Sequence, residues 1–211
     1  MSTALAIFVK TPGLSPVKTR LAASLGTPQA VHFYQLCVKA ITATAKQSGL
    51  PTYWAVAEEE GLSNPLWQDF PQLHTSPGNL GERQGAIYET LRKDFETVLL
   101  VGADIPQLSV SILHAARASL KNHDFVLGPA KDGGYYLFGG RTALPKHIWR
   151  DVPWSTPQTM QKLEEALPSP AAHLQSLTDI DTVQDLLALP KEMGTNATPE
   201  QEAILSWIKS L

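Results

Sequence analysis

Cysteine is almost missing from this chain: Cys37 is the only one in 211 residues. That excludes an intrachain disulfide and a zinc site built on thiolates, and a lone thiol within an apolar helical pattern reads as buried and inert. Long apolar runs are missing too. No stretch approaches the roughly 18 apolar residues of a membrane span, and no basic segment leads into an apolar region near Met1, so a cytoplasmic location is expected. The formal charge is only −3, which gives no bulk attraction to nucleic acid or anionic lipid. An anionic ligand must be held locally. Linkers rich in Ser, Gly or charge are absent and no segment repeats, so residues 1–211 are expected to form one domain. The histidines His32, His74, His114, His123, His147 and His173 show no pairing at metal-ligand spacing.

What the chain does have is a regular alternation of apolar runs and helical periodicities. Its centre is Val98-Leu99-Leu100-Val101-Gly102-Ala103-Asp104-Ile105-Pro106. The unbroken apolar run reads as a parallel strand buried on both faces, and Pro106 forbids its continuation. Asp104 thus falls at the carboxyl end of a central strand, where open α/β sheets bind ligands and an acid can hold a divalent cation against phosphate oxygens. The alternative is that it only closes the strand or helps to cap a helix starting near Ser109. A second such edge follows Ala4–Val9, which opens into Lys10-Thr11-Pro12-Gly13-Leu14-Ser15-Pro16-Val17-Lys18-Thr19-Arg20-Leu21. Two prolines restrict this loop, Gly13 permits close backbone approach, and Lys10, Lys18 and Arg20 either converge on a polyphosphate or face solvent. Neither Gly-x-x-x-x-Gly-Lys-Ser/Thr nor Gly-x-Gly-x-x-Gly is present.

Thr27 and Pro28 read as the cap and first turn of a helix that buries Val31, Tyr34, Val38, Ile41 and Ala45 and stops at Gly49 and Pro51. Residues 52–57 read as a strand parallel to the first through a right-handed crossover. Glu58, Glu59 and Glu60 read as a solvated loop, and Trp67 and Phe70 as anchors of a short helix. Ser76–Gly81 is a glycine-rich entry to a helix with Ile87 and Leu91 inward. At its start Gly81, Arg83 and Gln84 are candidates for base, ribose or phosphate contacts; the competing reading is an ordinary turn and an exposed cation. A helix burying Ile112, Leu113, Ala116 and Leu120 follows, then a strand over 124–128. Asp132-Gly133 between two apolar runs is a hairpin-turn signal, and equally a mobile polar tip able to hold an acceptor or a sugar. Thr156 is expected to cap a helix with Met160, Leu163 and Leu167 inward, Trp154 to fill core, and Leu174–Leu177 to form a short strand. Asp179 and Asp181 alternate across that strand's end, so one of them faces a ligand, and Asp181 also fits an N-cap completed by Gln184. Thr198-Pro199 starts a last helix with Ile204, Trp207, Ile208 and Leu211 inward.

Together, Phe8–Gly13 with Pro16–Leu21, Gly78–Arg83, Gly102–Pro106, Gly128–Leu137, Trp154–Thr156 and Asp179–Thr182 resemble, in order and spacing over about residues 4–187, the DUF2064 group of bacterial glycosyltransferase-like proteins. That group is similar to the GT-A, or nucleotide-diphospho-sugar transferase, superfamily and to the guanylyltransferases of cofactor biosynthesis. The resemblance implies an α/β, three-layer α/β/α sandwich with a mixed, mainly parallel central sheet and a nucleotide held over its N-terminal half. It implies Mg or Mn on Asp104, with Asp181 completing the site, and it matches Lys18 and Arg20 to positions that steady a triphosphate in the related nucleotidyltransferases. Two departures stand out: Asn79 replaces the usual aspartate of Gly-Asp-Leu-Gly, and Gly-Ala-Asp replaces a full Asp-x-Asp, leaving one dependable carboxylate.

The expected nucleotide contacts are therefore Lys10, Thr11, Gly13, Lys18, Arg20, Gly81 and Arg83, with Gly133, Gly134 and Tyr135 toward the acceptor. The leading expectation is metal-dependent glycosyl transfer from a nucleotide-diphospho-sugar to a small acceptor. A cation, Lys18 and Arg20 would neutralise the leaving diphosphate, and Asp132 would serve as base. Nucleotidyl transfer from an NTP to a phosphorylated small molecule, with release of pyrophosphate, is the alternative. A nucleotide-binding regulator without turnover is the third reading. The partners in each case are a nucleotide and a small molecule, not nucleic acid or membrane.

Overall fold

A computed structural model describes residues 1–193 and 197–211. Strands β1 (Thr3–Val9), β2 (Thr52–Val56), β3 (Gln72–His74), β4 (Thr97–Gly102), β5 (Phe125–Pro129), β6 (Tyr135–Gly140) and β7 (Ala171–His173) form one sheet in the order β3-β2-β1-β4-β6-β5-β7. The helices are α1 (Thr19–Leu25), α2 (Thr27–Ser48), α3 (Leu80–Leu91), α4 (Val110–Ser119), α5 (Lys146–Asp151), α6 (Thr159–Ala166), α7 (Val183–Glu192) and α8 (Pro199–Lys209). All pairings are parallel except those of β6, which runs antiparallel to both β4 and β5.

The alternation of side chains along each strand explains the layers. Leu5, Ile7 and Val9 of β1 join Leu99 and Val101 of β4 in a core with α2 and α4, whereas Ala4, Ala6, Val98 and Leu100 join a second core with α3 and α5. A strand buried on both faces must be apolar at every position, which is why β1 and β4 carry no period of two. A third cluster, containing Leu21, Phe33, Cys37, Ile180, Leu186 and Ile204, packs α1, α7 and α8 on the outside of α2. Cys37 is fully buried there. Among the described residues no helix is long and apolar enough to cross a membrane.

Several expected boundaries move, each for a local reason. Gly26, with φ +84°, caps α2, and Thr27 is already helical. Thr156 does not cap α6. Its hydroxyl and that of Thr159 both donate to the Pro153 carbonyl, closing a turn that delays the helix to Thr159. Residues 174–177 are not a strand: pairing with β5 ends at His173, and Leu177 makes only an isolated bridge to Ala130. The capping box on α7 is Thr182 with Asp185, one residue beyond the expected Asp181 and Gln184. Leu211 lies past the end of α8 and is exposed. Glu58 is not a free surface acid, since its carboxylate accepts the Thr11 N–H at 2.9 Å.

Candidate functional site

The strand order reverses direction at β1, with β2 on one side and β4 on the other, and in an open α/β sheet the crevice beyond the carboxyl ends at such a point is the ligand site. A cleft of about 370 Å³ lies there. Its floor is made by Phe8, Ala55, Leu100 and Gly102, one side by Leu80, Arg83 and Gln84 of α3, and the far wall by Tyr135 and Tyr136 of β6.

Lys10 leaves β1 at the mouth. The Tyr34 hydroxyl accepts from the Lys10 N–H and donates to its carbonyl, both at 2.9 Å, so the backbone is clamped while the side chain stays exposed. Arg83 donates Nε to the Gly78 carbonyl at 3.0 Å, which fixes the guanidinium beside the cleft. Among the described residues neither cation forms an ion pair. Asn79 caps α3 in a reciprocal box with Glu82, a role its amide fills as well as a carboxylate would. Gln84 accepts the Tyr135 hydroxyl at 2.7 Å, joining α3 to β6 across the back of the cleft. Burial pushes the Tyr135 phenol up, and the bond to Gln84 opposes that shift only in part. Trp154 supports Tyr135 edge-on, with ring centroids 6.4 Å apart, and donates Nε1 to the Trp149 carbonyl at 2.8 Å.

Lys18 differs from every other cation in the chain. Its backbone is left-handed (φ 48°, ψ 47°), which costs a lysine about 1–2 kcal/mol, and its side chain is 1 % exposed. Nζ donates to the Ile180 carbonyl at 2.6 Å, lies 2.7 Å from Asp104 Oδ1 and 3.7 Å from Asp181 Oδ1. Burial works against the charge, but the Asp104 carboxylate, with smaller contributions that include Asp181, outweighs it and holds the Lys18 pKa above the ordinary lysine value. Ile180 is tied down twice, because its N–H donates to the Asp104 carbonyl at 3.2 Å. Asp179, one residue earlier, lines the cleft, and burial together with the carboxylates of Asp104, Asp132 and Asp181 lifts its pKa to about 7.

The expected site residues therefore divide. Lys10, Lys18, Arg83, Asp104 and Tyr135 line one cleft. Thr11 does not: it is fully buried, and its hydroxyl accepts Trp67 Nε1 at 3.1 Å. Gly13 lies in the loop outside the cleft, and Arg20 is 73 % exposed and paired with Asp181 at 3.3 Å. Gly81 is a packing position, since a Cβ there would stand 2.0 Å from the Trp149 carbonyl oxygen. Asp132 is exposed in the turn between β5 and β6 and accepts the Gly134 N–H at 2.8 Å. Two contacts tie this tip to its surroundings: Met160 donates to the Gly133 carbonyl and Lys131 pairs with Glu192. Of the two late acids, Asp179 rather than Asp181 lines the cleft.

Over residues 38–156 the sequence matches the family described as uncharacterized protein conserved in bacteria, DUF2064. The chain belongs to that family. A crystal structure of a candidate nucleotide-diphospho-sugar transferase from Desulfovibrio desulfuricans G20 is 25% identical and superposes with a TM-score of 0.85, covering 100% of this chain and 96% of that one. Rv0371c from Mycobacterium tuberculosis H37Rv is 14% identical with a TM-score of 0.55, over 90% of this chain and 98% of that one; its manganese complex superposes at 0.51. CMP:2-keto-3-deoxy-manno-octonic acid synthetase, complexed with CTP, is 11% identical with a TM-score of 0.54, over 92% and 98% of the two chains. These last likenesses concern the fold alone. No curated protein matches the sequence. This DUF2064 chain thus has the nucleotide-diphospho-sugar transferase fold.

Sequence reasoning passed over Tyr34 as a site residue and, of the pair Asp179 and Asp181, favoured Asp181. Tyr34 carried only a helical-periodicity signal, indistinguishable from core. Asp179 and Asp181 are separated by which way a short irregular segment turns, which no local pattern encodes.

Proposed function

We propose that this chain is a transferase that binds a nucleotide-activated donor in the cleft beyond β1 and β4 and passes the glycosyl group of a nucleotide-diphospho-sugar to a small acceptor. The observation that carries this reading is an apolar cleft of about 370 Å³ with two cations, Lys10 and Arg83, that form no ion pair among the described residues, at the sheet edge where such folds take ligands. The likeness to the Desulfovibrio protein supports the donor class. In this reading the nucleoside lies against Phe8, Leu80 and Gln84. Lys10 and Arg83 give charge-assisted hydrogen bonds to the diphosphate that strengthen as negative charge collects on the leaving nucleotide. Asp132, exposed in the turn that leads into β6, takes the proton of the acceptor hydroxyl.

Asp104, Asp181 and the Ile180 carbonyl place hard oxygen donors around Lys18 Nζ, a set that would suit magnesium or manganese once the ammonium is displaced. Among the described residues no three carboxylate, imidazole or thiolate groups converge in this way. Asp104 and Asp181 would hold such a cation, and the chemistry it would supply is charge neutralisation on the leaving group.

Nucleotidyl transfer is the second reading. It is favoured by Lys18 joining Lys10 and Arg83 along the cleft, since three cations suit a triphosphate. A thermal-shift panel of NTPs and nucleotide-diphospho-sugars, with and without Mn²⁺, tests both, because 100-fold saturation adds about 2.7 kcal/mol of stability. Free nucleoside diphosphate on turnover supports glycosyl transfer, and pyrophosphate supports nucleotidyl transfer. Binding without either product leaves a non-catalytic nucleotide binder. A panel in which no nucleotide raises the melting temperature overturns all three.

A further inference from the structure

Two carboxylates expected to share a divalent cation do share a cation in this structure, and it is Lys18. Its ammonium has two oxygens within hydrogen-bond distance, Ile180 O at 2.6 Å and Asp104 Oδ1 at 2.7 Å, and Asp181 Oδ1 stands 3.7 Å away as a looser ion-pair partner. The Lys18 side chain is 1 % exposed while Asp104 and Asp181 keep 51 % and 39 % of theirs open, so the ammonium is seated beneath two carboxylates that still reach solvent. The left-handed backbone of Lys18 at the start of α1 aims the side chain inward, where an ordinary helix cap would leave it in solvent.

We propose that Lys18 is the resident counter-ion of this pocket: it fills the cation position between Asp104 and Asp181, bars a bare divalent ion, and yields the position only when a polyphosphate in the cleft offers its ammonium new acceptors. The proposal deepens the donor-binding reading and rests on it for the identity of the polyphosphate, but not for the exclusion of free metal. Two positive charges cannot occupy one set of oxygens at such distances, because their repulsion is of the same size as the attraction each feels toward one carboxylate. Lys18 is thereby a positioning residue. It holds Asp104 and Ile180 in place, and it sets the order in which metal and nucleotide enter.

The exclusion is tested without nucleotide, by titrating the full chain with Mn²⁺ alone and following free Mn²⁺ by electron paramagnetic resonance. Wild type is expected to bind weakly. Lys18→Met is expected to bind about tenfold tighter or more, because the ion no longer meets the ammonium's repulsion beside Asp104 and Asp181, although Arg20 keeps its pairing with Asp181. Lys18→Arg should stay at the wild-type level, and adding Asp104→Asn to Lys18→Met should abolish the gain. Should Lys18→Met lose its native circular dichroism, Lys18→Gln, which keeps a donor for Ile180 and removes the charge, takes its place. Wild-type affinity equal to or tighter than that of the charge-removing variant overturns the proposal. The ordered-entry part is read as a thermal shift for CTP with Mn²⁺ together that exceeds the sum of the two separate shifts, and simple additivity overturns that part. Failure of every nucleotide to bind would sink the donor reading and leave the metal-exclusion result standing, so the two failures are told apart.

Discussion

The Tyr135 hydroxyl donates to Gln84 Oε1 at 2.7 Å, a single bond that ties the antiparallel strand β6 to the helix on the other side of the cleft. Removing it leaves a buried amide oxygen without its partner. Tyr135→Phe is expected to cost about 1–2 kcal/mol in urea unfolding. Gln84→Ala should cost a similar amount, and the double variant should cost less than the sum, with a coupling of about 1 kcal/mol. Additive costs would mean that the bond does not form in solution.

The donor reading ranks the cations by position rather than by sequence motif. Lys10→Ala and Arg83→Ala are each expected to weaken donor binding about tenfold, the loss of one charge-assisted hydrogen bond of about 1.4 kcal/mol. Arg20→Ala should matter far less, because its guanidinium is mostly in solvent and its partner Asp181 lies outside the cleft wall. Calorimetric titration with whichever nucleotide gives the largest thermal shift checks the order, and an Arg20 effect larger than both others would move the polyphosphate elsewhere.

Glycines here separate into those needed for space and those needed for conformation. A Cβ at Gly81 would stand 2.0 Å from the Trp149 carbonyl oxygen and 2.1 Å from the Trp154 ring, so Gly81→Ala must push α3 off α5 and is expected to cost about 3 kcal/mol. Gly49, with φ +67° and nothing within 4 Å, should lose only about 1 kcal/mol as alanine. For a chain of this length the first change corresponds to roughly 6–12 °C in melting temperature and the second to roughly 2–4 °C.

Glu192 ties the tip between β5 and β6 to α7, accepting from Lys131, Gln107 and Thr178. Burial alone would raise its pKa, but these bonds outweigh burial and hold the carboxyl below the ordinary glutamate value of 4.5. Because the folded-state value is depressed, the stabilisation is complete above pH 4.5 and is lost as the pH falls through the folded-state value. Glu192→Gln is therefore expected to unfold about 1–2 kcal/mol more easily at pH 7, with the gap to wild type closing in acid. A gap that widens below pH 4 would contradict the assignment.

How far the sequence reaches can be seen residue by residue. β1, α2 and β4 were legible because an unbroken apolar run and a helical period each admit one arrangement, and Pro106 set the carboxyl end that places Asp104. The Asp132-Gly133 turn was legible as well. That β6 then inserts between β4 and β5 was not readable from any local pattern, because strand neighbours far apart in sequence are chosen by the whole core; the mixed sheet came from the family resemblance alone. β7 was misplaced because three residues carry no period. At the site, charge type was readable and charge partner was not. Lys18 and Arg20 looked equivalent, yet a left-handed backbone buries one while the other stays outside.

Ile180 receives Lys18 from the start of the chain and holds Asp104 from its middle, so the seat of the Lys18 ammonium is incomplete until residue 180 has been made. A nascent chain emerging from the ribosome can pair β1 with β4 and still have nowhere to seat the ammonium. In the donor-binding reading, capture then belongs to the finished molecule, and fragments that end before residue 180 are expected not to compete with it for nucleotide.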